Sequence, residues 1–464
     1  MEGILISKTE SICPECLKRI PAEYVEKDGK VYLEKTCPEH GDYRALIWRD
    51  AALYQQWRKA AVHADLVSGK HSSLGCPFDC GLCDHHEGKT CTAVMEITYK
   101  CNMNCEVCFA DTEKVKYDPS TADIRKMYET VWNNAGDCSV QLSGGEPTVR
   151  DDLPDILHMG KWFGFSHIQV NSNGIRLAAE RNYAALLKEA GADLIYLQFD
   201  GVTEDVYQKI RAKKMLDIKK KAIENCAEAG LGVLLVPVII PGVNDEQIGG
   251  IIEFAKEHMP VVRGVHFQPV SYFGRYPARM PSDDVRLGIG DVMEELCKQT
   301  GNEMKLEDFV ARKRYDSVCA FSSLYYLDDS GVLHSLTHEK RDEGLNLASS
   351  HTDFPKKANI FTNQHWRIAD HRWITSGSGR QGGNDMKNFI KRVQEYTLSV
   401  TGMGFQDAWN IDLGRVRGCC VHVATADGNL TPLCAFHLTD AHGRRLYHTG
   451  DNGALCCDFM PDRK

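Results

Sequence analysis

Between residues 93 and 269 the chain alternates short apolar runs with longer segments whose apolar positions recur every three or four residues. The runs Ala93–Thr98, Ser139–Leu142, His167–Asn171, Leu194–Phe199, Val233–Ile239 and Gly264–Pro269 read as buried strands. The segments Thr121–Asn134, Leu153–Trp162, Leu177–Ala190, Lys214–Ala229 and Asp245–His258 read as amphipathic helices. One strand plus one helix takes about 30 residues, the length of a βα repeat. Ser120 stands where the first helix needs an N-cap, and Asn244-Asp245 opens the last. Right-handed crossovers then predict an α/β fold, a partial or full parallel β/α barrel of TIM type.

The flanks read differently. Upstream, VEKDGKVYLEK predicts a small hairpin around Asp28-Gly29. After Pro269 the periodicity loosens into a loop, followed by a helix at Val285–Gln299. Two hairpin-like stretches follow, FSSLYYLDDSGVLHSL and RGCCVHVATADGNLTPLCAF. Between them, Ser349–Asn384 is polar and loop-rich with His351, His365 and His371, either a cover for the barrel mouth or a plain surface excursion. The expected organisation is a metal-knuckle module (1–60), a cysteine-rich segment (61–92), the barrel (93–300) and a C-terminal region (301–464). The longest apolar run, Leu231 to Ile240, is interrupted by Pro237, so no membrane span is expected. The first residues lack a basic region followed by an apolar one, which points to a cytoplasmic protein.

Composition adds two constraints. With 43% hydrophobic and 26% charged residues the chain has material for a large core, and a net charge of −9 disfavours nucleic acid as a partner. Nineteen cysteines in a reducing compartment have metal as their natural destination.

Their spacing sorts them. Cys13, Cys16, Cys37 and His40 form a CPEC…CPEH pair of knuckles able to hold one tetrahedral ion, zinc or a rubredoxin-like iron. Two CxxxCxxC groups follow. Cys76, Cys80 and Cys83 come after a polar loop and have Cys91 as a fourth thiol, enough to close a cluster. Cys101, Cys105 and Cys108 come directly after the TAVMEIT strand and have no fourth thiol nearby, so they would leave one iron of a [4Fe–4S] cluster open, at the strand edge where α/β folds bind ligands. Cys319, Cys419, Cys420 and Cys434 could form a further cluster, although neighbours such as Cys419 and Cys420 rarely both reach one. Cys138, Cys226 and Cys297 read as packing, and Cys456 and Cys457 have no assigned role.

Cys101-x3-Cys105-x2-Cys108 after the first strand, joined by Ser143-Gly144-Gly145-Glu146-Pro147 at the end of the second, resembles the radical SAM superfamily. The resemblance implies S-adenosylmethionine (SAM) as cofactor, chelated by the open iron. It also implies that Gly144, Gly145, Glu146 and Pro147 receive the methionine ammonium, and that Asn171, Ser172 and Asn173 bind the ribose with help from Gln198 and Asp200. Arg211 would face the SAM carboxylate, and Val243, within PGVND, would pack on adenine. Val107 departs from the aromatic residue many members carry there, although Phe109 follows closely. Two plainer readings stay open: Asn171–Gly174 as a turn, and Arg211 as a solvated helix charge among Lys213, Lys214 and Lys219–Lys221.

The full pattern of knuckles, closed cluster, core and trailing CC…C resembles the multi-cluster group that includes archaeal tetraether lipid synthase, pterin-methylating proteins and TrsS-type proteins. This implies an oxygen-sensitive transferase that cleaves SAM reductively to a 5′-deoxyadenosyl radical. The radical would abstract hydrogen from an unactivated carbon for C–C bond formation, by lipid-chain coupling or C-methylation. Radical dehydrogenation of a peptide is the enzymatic alternative; a non-catalytic iron–sulfur electron carrier is the alternative of another class, and it would need neither GGEP nor an open three-thiol loop. Implied partners are a small-molecule, lipid or peptide substrate, a flavodoxin- or ferredoxin-type donor and, for a lipid, peripheral membrane contact. A lipid predicts a long apolar groove and a pterin a compact polar pocket.

Overall fold

The computed structural model describes residues 3–58, 71–79, 81–111, 115, 117–276, 281–311, 317–337, 366, 391–450 and 455–457. Cys80, His351, His365 and His371 lie outside the described residues, as does the stretch 349–384 apart from Trp366.

The chain opens with an antiparallel sheet of β1 (Ile4–Ile12), β2 (Arg19–Lys27), β3 (Lys30–Cys37) and β4 (Gly41–Trp48), closed off by α1 (Ala51–Arg58). The predicted hairpin is present: Lys27 faces Lys30, and Asp28 and Gly29 take φ of 52° and 74°, as a two-residue hairpin turn requires. The pattern marks only β2 and β3; β1 and β4 complete the sheet. Tyr24, Leu33 and Trp48 are buried and join the same apolar core as the following unit.

That unit carries β5 (Thr92–Thr98), α2 (Thr121–Ala135), β6 (Ser139–Gly144), α3 (Leu153–Phe163), β7 (Ile168–Ser172), α4 (Ile175–Ala179), α5 (Tyr183–Ala190) and β8 (Leu194–Gln198). It continues with α6 (Glu204–Arg211), α7 (Leu216–Ala229), β9 (Gly232–Val236), β10 (Val238–Ile239), α8 (Ile248–Glu257), β11 (Val262–Pro269) and α9 (Ile289–Gln299). Ser120 caps α2 in a reciprocal capping box with Asp123. The single helix expected at Leu177–Ala190 is two, broken between Glu180 and Asn182. A helix not foreseen, α6, buries Val206, Tyr207, Ile210 and Arg211.

Strands from beyond residue 300 enter the same sheet. These are β12 (Val310–Ala311), β13 (Ala320–Leu327), β14 (Leu333–Ser335), β15 (Thr397–Met403), β16 (Val421–Ala424) and β17 (Leu430–Pro432). The order is β12-β13-β15-β11-β9-β8-β7-β6-β5-β16-β17, with β16, β5, β6, β7, β8, β9, β11 and β15 all parallel neighbours. The region 301–464 therefore supplies a parallel strand to each side of the six-strand core. Among the described residues no ladder joins the two outer ends, which fits the partial form of the barrel. No described helix is long and apolar enough to cross a membrane.

Candidate active site and metal centres

The knuckles come together at one end of the first sheet. Sγ of Cys13 and of Cys37 lie 3.7 and 3.4 Å from Nδ1 of His40, and Sγ of Cys16 lies 4.0 Å from that of Cys37. All four ligand atoms fall within 4.8 Å of one another. A tetrahedral ion with metal–sulfur bonds of about 2.3 Å needs edges near 3.8 Å, so the set fits a single ion. Burial works against the Cys37 thiolate, but the His40 imidazole and the Glu39 and His40 amides outweigh it and bring the thiol down to about 7.

Cys101, Cys105 and Cys108 occupy the loop after β5 and all face one cavity with about 1340 Å³ of empty space, open to solvent. The loop is pinned on several sides. Gly145 N–H donates to Thr98 O (2.7 Å) and Glu146 N–H to Lys100 O (2.9 Å). A Cβ on Gly144 or Gly145 would stand 2.2 Å from Thr98 O or 2.1 Å from Lys100 O, and Gly144 has φ +116°. Only glycine tolerates that approach. The glycines thus bring the GGEP turn against the backbone that leads into Cys101. Cys108 and Arg275 exchange backbone hydrogen bonds (2.9 and 2.8 Å), and Arg445 donates to Ala110 O.

Glu146 is buried. One carboxylate oxygen accepts from Thr148 N–H (3.2 Å), Thr148 Oγ1 (2.6 Å) and Ser172 Oγ (2.8 Å), the other from Asn173 N–H (2.7 Å). Its carboxylate therefore ties the GGEP turn to the end of β7. Burial nevertheless raises its pKa, against these hydrogen bonds. Asn173 also donates through Nδ2 to Asn102 Oδ1 (2.7 Å), inside the cysteine loop.

Arg211 is 5% exposed, so it is not a solvated helix charge. It donates to both oxygens of the fully buried Asp200 (2.8 and 2.9 Å) and to Val107 O in the cysteine loop (3.1 Å). Burial alone would weaken its charge; Asp200 overcomes this and keeps it cationic. With the Gln198 amide oxygen turned towards it, that group accepts at 2.7 Å. Lys219, grouped in the sequence with surface lysines, is also buried, and its Nζ donates to Asn173 O (2.5 Å). Its place was legible: Lys219, Ala222, Ile223 and Cys226 share the buried stripe of α7. Burial lowers the Lys219 ammonium to about 8.

Of the residues expected around SAM, Phe109, Gly144, Gly145, Glu146, Asn171, Ser172, Asn173, Gln198 and Arg211 line the cavity. Pro147 starts a buried turn behind it, Asp200 sits beneath Arg211, and Val243 lies half-buried in the turn before α8. None of these three is among the lining residues. Behind Phe109 the pattern gave no hint of a buried pair, Glu96 and His437, 3.5 Å apart, with the Phe109 ring 4.9 Å from the imidazole. Burial raises Glu96 to about 7.

The remaining cysteines regroup. Cys319, Cys419 and Cys434 line one cavity of about 470 Å³ of empty space. There Arg415 Nη2 donates to Cys319 Sγ (3.1 Å) and Gln406 N–H to Cys434 Sγ (3.3 Å). Thiols, N–H groups aimed at sulfur and a guanidinium to offset anionic charge fit an iron–sulfur cluster. Cys420 points elsewhere, its Sγ 2.8 Å from that of Cys91. Cys91, expected with Cys76, Cys80 and Cys83, packs instead in the apolar group holding Cys319, Cys419 and Cys420. Cys76 packs against the apolar group that contains Phe78, as does Cys457, to which the sequence assigned no role. Cys138 and Cys226 are core residues, and Cys297 packs at its edge.

A profile of the radical SAM superfamily matches residues 95–255, and one of the HMPTM N-terminal zinc ribbon domain matches residues 5–49. The 7,8-dihydro-6-hydroxymethylpterin dimethyltransferase of Methanocaldococcus jannaschii is 36% identical over 93% of each chain. A probable GTP 3',8-cyclase of Methanothermobacter thermautotrophicus is 33% identical over 39% of this chain and 58% of its own. Among solved structures, the FeFe-hydrogenase maturase HydG from Carboxydothermus hydrogenoformans overlays with a TM-score of 0.39 at 14% identity, covering 46% of this chain and 52% of that one. A likeness that runs almost end to end, with the three-thiol loop and the GGEP turn sharing one cavity, places the chain in the radical SAM superfamily of enzymes.

Proposed function

We propose that the protein is a radical SAM methyltransferase that forms a C–C bond on a pterin-type small molecule. The observation that carries this reading is the full-length likeness to an enzyme named for methylating a pterin. When bound, SAM and the [4Fe–4S] cluster on Cys101, Cys105 and Cys108 supply a reductively generated 5′-deoxyadenosyl radical. The chain's own part is to hold that loop through Arg211, Glu146, Asn173 and the backbone of Cys108. Electrons would come from a flavodoxin- or ferredoxin-type donor, and a cluster at Cys319, Cys419 and Cys434 would serve to relay them. The cavity offers Gln141, Gln198 and Gln268 as hydrogen-bonding groups on an otherwise largely apolar wall, so the choice of a pterin over an acyl chain rests on the likeness and not on the lining.

The test is anaerobic reconstitution with dithionite, SAM and 7,8-dihydro-6-hydroxymethylpterin. The expected products are 5′-deoxyadenosine and a pterin heavier by one or two methyl groups. SAM cleavage without any gain in pterin mass would overturn the substrate while leaving the superfamily intact.

Two metal counts follow. Iron should approach about twelve per chain if two auxiliary clusters accompany the open one, and about eight if only one does. The first knuckle should hold zinc, because three thiols and an imidazole form a closed structural zinc set. Cys37→Ser should lower zinc from one per chain to near zero in elemental analysis and leave the iron count unchanged.

A further inference from the structure

The helical turn Leu433–Phe436 carries Cys434, and the strap of chain that leaves it, residues 438–447, reaches the other three thiol groups in turn. At its tip Ala441 N–H donates to Pro14 O (2.8 Å) and Arg444 Nη2 to Glu15 O (3.4 Å), both between Cys13 and Cys16 of the knuckle. On its return Arg445 Nη2 donates to Ala110 O and to Asp111 O (3.2 Å), at the end of the open three-thiol loop. Tyr447 OH then donates to Pro77 O, next to Cys76.

The strap is stiff. Thr439 bridges Arg445, and Leu446 N–H donates to Leu438 O (2.8 Å), so its two limbs run antiparallel. The fully buried Asp440 closes the tip. Its Oδ1 accepts from His442 N–H (2.9 Å) and Arg444 N–H (2.8 Å), and its Oδ2 from Arg444 Nε (2.6 Å). Leu438, Leu446 and Tyr447 are buried in one apolar group with Ile12 and Leu17, which flank the first knuckle turn. Val107, between Cys105 and Cys108, packs against the same group. Close-packed side chains transmit a displacement rather than absorb it, so knuckle, strap and cysteine loop shift together.

The loop end that Arg445 grips is one that needs holding. Asp111 has φ +36°, in the left-handed region that a non-glycine residue keeps only where its surroundings impose it. One guanidinium nitrogen carries two hydrogens, enough for both carbonyls of the pair Ala110 and Asp111.

We propose that the strap positions the radical-generating loop against the knuckle. Arg445 is the positioning residue for the Cys108 end of that loop, and the turn at 13–16, fixed when its ion is bound, is the point against which the strap bears. The zinc ribbon thereby serves the reactive cluster as well as closing its own sheet. The proposal builds on membership of the radical SAM superfamily and is independent of the substrate.

The experiment compares Arg445→Met, Arg445→Lys and Ala441→Pro with wild type, each as the full chain, anaerobic and loaded with iron and zinc. Ala441 is the second residue of the turn closed by Gly443 N–H to Asp440 O, a position that favours proline. Ala441→Pro therefore keeps the turn and removes the N–H donated to Pro14. SAM is titrated into dithionite-reduced protein while the change it causes in the electron paramagnetic resonance spectrum is followed, and hydrogen exchange is read peptide by peptide. The half-saturating SAM concentration should rise about tenfold in Arg445→Met and about threefold in Ala441→Pro, the worth of a charged and a neutral hydrogen bond. Arg445→Lys keeps a charged donor and should stay within about threefold of wild type. Exchange should accelerate at 101–111 in Arg445→Met and Ala441→Pro and stay unchanged in β6–β9, with iron and zinc content constant. Arg445→Met with wild-type SAM response and wild-type exchange at 101–111 would overturn the strap's role. Acceleration throughout β6–β9 would overturn it equally, since Arg445 would then support the whole fold. Ala441→Pro identical to wild type beside an impaired Arg445→Met would overturn the part given to the knuckle.

Discussion

Cys101→Ala is expected to reduce release of 5′-deoxyadenosine from SAM to background. Among the described residues the cavity at the loop after β5 is lined by three thiols and no fourth, so losing one leaves two, too few to hold a [4Fe–4S] cluster with one open iron. Because the chemistry belongs to the cofactor, no protein group can substitute for it. The zinc knuckle is built by a separate sheet, and the thiols at Cys319, Cys419 and Cys434 line a separate cavity. The variant should therefore lose about four irons per chain and keep its zinc. Chromatographic assay of 5′-deoxyadenosine under dithionite, beside elemental analysis, checks both. Wild-type turnover in the variant would move the reactive cluster to another set of thiols.

Arg211→Met should cost about 3–5 kcal/mol of stability, because it strands a buried Asp200 carboxylate in a site that excludes water. The double variant Asp200→Asn with Arg211→Met removes both charges and should recover most of that loss. It should not recover SAM cleavage, since the bond from Arg211 to Val107 O, which holds the cysteine loop, is gone in both proteins. Denaturant unfolding of the three proteins, assembled as a double-mutant cycle, separates the charge effect from the loop effect. Full recovery of cleavage in the double variant would show that Arg211 acts through its pairing with Asp200 alone. Equal stability of Arg211→Met and wild type would place Asp200 in contact with water.

What the chain discloses directly is short-range. The knuckle ligands, the three-thiol loop and the βα repeats each lie within about 30 residues, so spacing alone carries their geometry. The hairpin at Asp28-Gly29 and the cap at Ser120 are legible for the same reason: one residue's conformational preference sets them.

Lys219 marks the boundary. Its charge suggests solvent, yet its place on the stripe with Ala222, Ile223 and Cys226 suggests burial, and burial wins because Asn173 O and nearby Asp200 compensate the ammonium. Arg211 resolves the same way, through an acid eleven residues upstream. For Lys219 the periodicity points correctly and residue type points away; for Arg211 the helix itself was not foreseen, and its buried partner Asp200 decides.

The long-range pairings were not legible. Cys91 meets Cys420 across 329 residues, and β15 and β16 flank a core whose first strand begins some three hundred residues earlier. No local preference encodes such a meeting; it follows from which sheet edges remain to be covered once the core strands have paired. The sequence by itself determined that three thiols and a GGEP turn would share one strand edge, because both follow neighbouring strands of a parallel repeat. Only the tertiary structure decided which of the other thiols stand together. It alone brought Cys319, Cys419 and Cys434 to one cavity, because the elements that carry them are far apart in the chain and meet only once the sheet has formed.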